Sequence, residues 1–213
     1  MAEPMGLLVA GFNFSPVAAD EFNAWYDTEH VPERLCVKGF VNAQRWLGAD
    51  DPQISIATYD LDTLDVLNSP AYTAIAGANL SPWSKRIVGK AQRVCRIEAT
   101  QLVPGRVAAP ANAEAMLLVA MNVAPEAEAE FNAWYNEEHL PALAAVPGCA
   151  CARRFKMDGG KHKYIALYHL NAPELQASPA WKKAVDTPWT AKIRPHFRDM
   201  LRIVLRRYVI KAA

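Results

Sequence analysis

The chain has 213 residues, 52% hydrophobic and 21% charged, with a formal net charge of +1. That is globular composition, long enough to bury a core without staples, and its near-neutral charge offers no general field for nucleic acid or an anionic membrane. The longest apolar runs are of strand length, far short of the ~20 residues a membrane helix needs, and the first residues lack the basic-then-apolar pattern of a signal peptide.

In chain order, an apolar run over residues 7–14 reads as a buried strand. Pro16 suits a first helical turn. The helix that follows is expected to run to His30, because the residue before Pro32 is pushed out of the α region. A short turn ends at Gly39, and strands are expected near 40–47 and 54–61 around Asp50, Asp51 and Pro52. A second helical region begins after Ser69-Pro70, and a strand over 94–102 closes the series. Pro104–Ala113 is a Pro/Ala-rich linker. The series then starts again: a strand over 117–123, Pro125, a helix to His139 before Pro141, and a turn to Gly148. Strands near 149–156 and 163–170 flank Asp158-Gly159-Gly160, a helical region follows Ser178-Pro179, and a strand over 201–209 ends it.

The resemblance between the two series extends to residue identity. EFNAWYDTEHVP at 21–32 and EFNAWYNEEHLP at 130–141 share nine of twelve positions. At the same spacing of 109 residues, Gly39 falls on Gly148, Arg45 on Arg154 and Tyr59 on Tyr168. The chain therefore reads as an internal duplication, with repeats at 1–103 and 114–213 and the linker at 104–113. Each repeat has βαββαβ order, the split ferredoxin-like unit, whose sheet carries helices on one face only. The bare apolar face has to be buried, and a second repeat can bury it. The expected class is α+β: two ferredoxin-like repeats with antiparallel sheets and outer helices, forming a pseudo-dimeric α+β barrel within one chain.

At 100° per residue, Phe22, Trp25, Tyr26 and Glu29 share one helix face, with Asn23 and His30 at its edge and Asp27 and Thr28 pointing away. A carboxylate on an apolar face needs a partner. Arg45 and Arg154 are candidate partners for Glu29 and Glu138; alternatively each Glu orients its neighbouring histidine or caps a local amide. His30 and His139, placed at a helix C-terminus, would have their pKa raised by the dipole and lowered by burial. A value near neutrality would suit a general acid or base, whereas a merely structural histidine would bond free carbonyls. Tyr59 and Tyr168 alternate with Ala57 and Ala166, which leaves room for a ligand or simply packs a ring beneath a helix. Trp83 and Trp189 read as core anchors. Cys149 and Cys151 point to one strand face, too close together for ordinary bridging and with too few companions for zinc, so the four cysteines (with Cys36 and Cys95) fit a reduced, cytoplasmic protein. His162, His169 and His196 occur only in the second repeat, as surface residues or, for His196, as an axial haem ligand. The chain has no Gly-rich phosphate loop, nucleophile elbow or HExxH.

The pattern Trp25-Tyr26-x-x-Glu29-His30-x-Pro32, then Gly39 and Arg45, repeated as Trp134-Tyr135-x-x-Glu138-His139-x-Pro141, Gly148 and Arg154, resembles the dimeric α+β barrel superfamily, especially its EthD-like branch. Most relatives carry one unit per chain and dimerise, so two fused units imply a pseudo-dimer, with a homodimer of that pseudo-dimer as the expected assembly. The superfamily includes cofactor-free monooxygenases, lactone isomerases, polyketide cyclases, small dehydratases and decarboxylases, haem enzymes and proteins without known activity. The resemblance implies His30 and His139 as acid/base groups. It implies pockets lined by Tyr26, Glu29, Arg45 and Tyr59 in one repeat and by Tyr135, Glu138, Arg154 and Tyr168 in the other.

Three functions follow as expectations. The first is an enzyme without metal or organic cofactor, acting on a small, largely apolar or aromatic oxygenated molecule by histidine proton transfer, of isomerase, cyclase, lyase or monooxygenase type. The second is a haem-binding or haem-dependent enzyme. The third is a non-catalytic ligand-binding or assembly module. Divergence on the strands (Phe40 against Cys149, Ser55 against Tyr164) predicts two pockets of unequal size, with one favoured ligand site per chain.

Overall fold

A computed structural model of the chain describes residues 3–209; the outermost residues of both expected repeats lie outside that range. The described chain is α+β and divides into two compact units, one of residues up to Thr100 together with those from Arg207 onward, the other Gln101–Arg206. Arg207, Tyr208 and Val209 thus belong with the first unit, although the sequence places the whole last strand with the second repeat.

In the first unit, strand β1 (Gly6–Asn13) is followed by helix α1 (Ala19–Trp25), a π-helical turn (Tyr26–His30) and α2 (Val31–Leu35). Strands β2 (Gln44–Gly48) and β3 (Ile54–Leu61), short helices α3 (Pro70–Thr73) and α4 (Pro82–Lys90), and strand β4 (Gln92–Val103) complete the series. The strands pair antiparallel in the order β4-β1-β3-β2. In the second unit, β5 (Ala115–Val123), α5 (Glu128–Trp134), a π-helical turn (Tyr135–His139) and α6 (Leu140–Ala144) lead to β6 (Cys149–Lys156) and β7 (Tyr164–Leu170). Helices α7 (Pro179–Val185) and α8 (Pro188–Ile193) precede β8 (Phe197–Arg207), and the antiparallel order is β8-β5-β7-β6.

The first helix does not stop at the histidine. It continues through Pro32 to Leu35, and through Pro141 to Ala144. Proline inside an α-helix lacks an N–H and its ring meets the carbonyl four residues back. The wider π turn relieves both, and Val31 N–H reaches Tyr26 O, five residues back. A wider turn rotates fewer degrees per residue. His30 is thereby brought onto the buried face with Phe22, Trp25 and Tyr26, while Glu29 swings to its half-buried edge.

Gly39 and Gly148 end the following turns at φ of 102° and 96°. A Cβ at Gly39 would meet Val66 and one at Gly148 would meet Asn171 (2.4 and 2.6 Å), so glycine is required at both for conformation and for space. Each unit has its own core: Phe22, Trp25, Tyr26, Tyr59 and Leu61 in the first, Phe131, Trp134, Tyr135, Tyr168 and Leu170 in the second.

Three local expectations are corrected. A bulge in β6 pairs Cys149 with Leu170 and Cys151 with His169, so the two cysteines face opposite sides of the strand. His162 and His169 are buried rather than superficial, and His169 Nε2 lies 3.1 Å from Arg153 Nη2. Pro16 lies in a turn ahead of α1.

Candidate functional site

The carboxylates on the helix face are held by hydroxyls, not by the arginines. Ser81 Oγ and Ser84 Oγ donate to Glu29 Oε1 at 2.6 and 3.1 Å, and Trp25 Nε1 donates to Ser84 Oγ at 2.9 Å. The second unit repeats the arrangement with threonines: Thr187 Oγ1 donates to Glu138 Oε1 at 2.6 Å and Trp134 Nε1 to Thr190 Oγ1 at 3.1 Å. Ser81 and Thr187 are also the N-caps of α4 and α8. Each Glu therefore fastens the first helix to the N-terminus of a later one, and neither pairs with Arg45 or Arg154.

Arg45 instead donates to Asp27 Oδ1 and Asn23 Oδ1, both at 2.8 Å. Its guanidinium lies between two rings, 4.3 Å from the Tyr26 centroid and 3.9 Å from that of Tyr208. Asp27, expected to point into solvent, is only 14% exposed. Arg154 donates to Asn136 Oδ1 and Asn132 Oδ1, both at 2.7 Å, and lies 4.5 and 4.7 Å from the centroids of Tyr135 and Tyr164. With amides in place of a carboxylate, Arg154 keeps its positive charge largely uncompensated beneath the helix.

That charge acts on the histidine. His139 is stacked on Trp134 (centroids 4.3 Å apart, planes at 29°), and its Nδ1 has no hydrogen-bond partner. Burial first, then the charges of Arg154 and Arg194, lower its pKa to about 3. His30 is lowered to about 3 as well, by burial and then by Arg34, Arg45 and Arg96. Both rings are neutral at pH 7. The expected value near neutrality is overturned: the helix does not end there, so no dipole terminus favours the imidazolium.

In the second unit a cavity of about 580 Å³ opens beside His139. Its apolar floor includes Leu117, Val119, Met121, Trp134, Leu143 and Trp181. Tyr135 and Tyr168 also line it, with their hydroxyls 3.1 Å apart. Burial raises the pKa of both tyrosines, so both hydroxyls stay protonated. Exposed Lys182, Asp186, Arg194 and Arg202 form a charged rim. Of the second-repeat residues singled out by sequence, Tyr135, His139 and Tyr168 meet in this cavity, whereas Glu138 and Arg154 are not among its lining. Trp181, Leu143 and Arg194 were missed. The register offered a signal for one of them, since Leu143 stands where the first repeat has Arg34.

In the first unit, the residues at corresponding positions are bulky or charged. Phe40, at the place of Cys149, stacks on Tyr72 at 5.7 Å, and Arg34, at the place of Leu143, is buried with its guanidinium 5.5 Å from the Tyr72 centroid. Tyr26, His30 and Tyr59 lie in this unit's core, Glu29 at its half-buried edge, and Arg45 against the helix.

Among the described residues, no group of three or more His, Cys, Asp or Glu side chains is placed to hold a metal ion. His196, the axial-ligand candidate, is 37% exposed, lies 3.9 Å from Glu126 and does not line the cavity. A haem held there through His196 does not fit, which leaves His139 as the histidine of the cavity wall. No helix of the described residues is long and apolar enough to cross a membrane.

No family model matches the chain, and no curated protein matches it in sequence. Solved structures do. A candidate monooxygenase from Fusobacterium nucleatum subsp. nucleatum is similar with a TM-score of 0.64 at 11% identity, over 97% of this chain and 94% of that one. A chlorite dismutase from Candidatus Nitrospira defluvii, in complex with imidazole, gives 0.62 at 11% identity over 98% and 93%. A haem-binding protein from Thermus thermophilus gives 0.58 at 8% identity over 96% and 92%. The likeness is one of fold: α+β with antiparallel strands, as in the dimeric α+β barrel superfamily to which such structures belong.

Proposed function

We propose that the chain is an internally duplicated protein of the EthD-like branch, and that its second unit is a cofactor-independent acid/base enzyme. Its substrate would be a small, largely apolar aromatic molecule carrying a carbonyl or hydroxyl oxygen. The observation that carries this reading is the unpartnered Nδ1 of a neutral His139 in the same apolar cavity as the paired Tyr135 and Tyr168 hydroxyls. Apolar walls with a few convergent polar groups are what a ligand of this class needs. The tyrosine hydroxyls are protonated and can donate to an oxyanion as it forms. His139 can accept the proton that leaves carbon. Arg154 and Arg194 oppose the imidazolium in the resting protein. A negative oxygen on the bound molecule would offset them, so proton transfer is favoured only together with charge development on oxygen. Isomerisation, cyclisation and elimination all begin with that step.

Anthrone tests the reading, because its methylene, flanked by two rings and conjugated to the carbonyl, is acidic enough to exchange. Deuterium uptake at that carbon in D₂O, followed by NMR, should be faster with the protein than with buffer and should fall to the buffer rate for His139→Gln. Equal exchange with the wild type, the variant and buffer would end the proposal.

A second reading, haem binding in the same cavity, is supported by the haem-binding protein and the chlorite dismutase among the similar folds. His139 would be its ligand. A Soret band that appears on haem titration and is lost in His139→Gln is its test.

A further inference from the structure

In the first unit the unpartnered buried atoms include both tyrosine hydroxyls and a terminal guanidinium nitrogen, a set that the second unit does not repeat. Four buried polar atoms, Tyr26 Oη, Tyr59 Oη, His30 Nδ1 and Arg34 Nη1, have no hydrogen-bond partner in the protein. Their residues are between 0 and 9% exposed. Buried polar atoms are nearly always satisfied, and leaving even one unmet is destabilising. Four together in one core call for a ligand.

They are neighbours. The Tyr26 and His30 ring centroids are 5.3 Å apart. The charges of Arg34 and Arg45 both act on Tyr26, His30 and Tyr59, and of the two Arg45 is the one held by a carboxylate at 2.8 Å. Arg34 spends Nη2 on Ile75 O at 3.1 Å, and Nη1 has only the partly exposed Glu33 at 3.6 Å. Arg96 stands close by, held by Glu98 and donating to Tyr72 Oη at 3.2 Å. Burial keeps both tyrosines protonated. The unmet groups are therefore two hydroxyl donors and one guanidinium donor, with a neutral imidazole that can donate as well. No carboxylate is among them.

The second unit shows what the same framework does without the cation. Leu143 replaces Arg34, the Tyr135 and Tyr168 hydroxyls share one hydrogen bond, and the space beside them is apolar.

From this we infer that the core of the first unit is a binding site for a small carboxylate anion, held by Arg34 Nη1 and the Tyr26 and Tyr59 hydroxyls. A carboxylate is planar, carries one negative charge and has about four acceptor positions on two oxygens. That matches the three to four unpartnered donors buried in this core, one of them on a guanidinium. The site is separate from the cavity of His139 and does not depend on its assignment.

Acetate is the probe. Thermal unfolding of the full chain is followed as acetate is raised at constant ionic strength, the balance made up with a bulky sulfonate. Tm should rise, by about 3 °C at tenfold excess over Kd for a chain of this length. The rise should vanish in Arg34→Leu, the residue that the second unit already tolerates. Tyr59→Phe keeps the ring, removes one donor and should weaken acetate at least about tenfold. No rise with the wild-type protein, or an equal rise in wild type and Arg34→Leu, would overturn the site.

Discussion

The guanidinium carbon of Arg45 lies 3.9 Å from the centre of the Tyr208 ring, while Tyr208 Oη donates to Asp27 at 2.7 Å. In the second unit the ring facing Arg154 opposite Tyr135 is that of Tyr164, from the strand position where the first repeat has Ser55. The two units thus set the corresponding arginine against two tyrosines, drawing the second ring from β7 in one and from the residue after β8 in the other. The bulk of Tyr164 covers Arg154 and does not fill the cavity. Tyr208→Ala should lower stability by about 1–2 kcal/mol, through loss of the cation–π contact and one charged hydrogen bond. Tyr208→Phe should recover part of it. Urea unfolding of the three proteins measures both.

The hydroxyl–carboxylate bridges predict a division of labour along the first helix. Glu138→Ala removes the acceptor for Thr187 and loosens the start of α8, and should cost about 1–3 kcal/mol. Anthrone exchange per folded molecule should be unchanged, because Glu138 is not part of the cavity wall. A large loss of exchange at full stability would return Glu138 to the site.

The histidines set a pH dependence. Unfolded, each imidazole takes up a proton near pH 6.5. Folded, His30 and His139 do so only near pH 3. Between those values the unfolded chain binds more protons, so their contribution is complete above about pH 6.5 and declines as pH falls toward 3. Between pH 7.5 and 5, ahead of most carboxylate titration, the urea midpoint should drop. His30→Gln should flatten part of that slope. In NMR, neither ring should titrate between pH 8 and 5.

The sequence made the elements legible, and β3 lies over the expected residues 54–61. Nine shared positions in twelve marked the helix that carries the histidine. The continuation of that helix was hidden, because the proline rule assumes an α turn and the π turn changes the geometry at Tyr26–His30. Asp27 lies under Arg45 and Glu29 at the serines, so the wheel misplaced these two beyond Tyr26, while Thr28 is exposed as the wheel indicated. The cavity was only partly legible. Its histidine and tyrosines come from the repeated motif, but Trp181, Arg194 and Phe197 come from α7, the turn after α8 and β8, which only tertiary packing brings to His139.

An apolar ligand site at His139 in the second unit should take up an aromatic alcohol without help from the first unit. Calorimetric titration with 1-naphthol, a neutral aromatic alcohol, tests it most directly because the cationic core of the first unit has no charge to recognise in it. One site per chain is predicted. It should be abolished by Leu143→Trp, which fills the cavity, and retained in Arg34→Leu. Binding that survives Leu143→Trp, or that disappears with Arg34→Leu in a folded protein, would contradict the account.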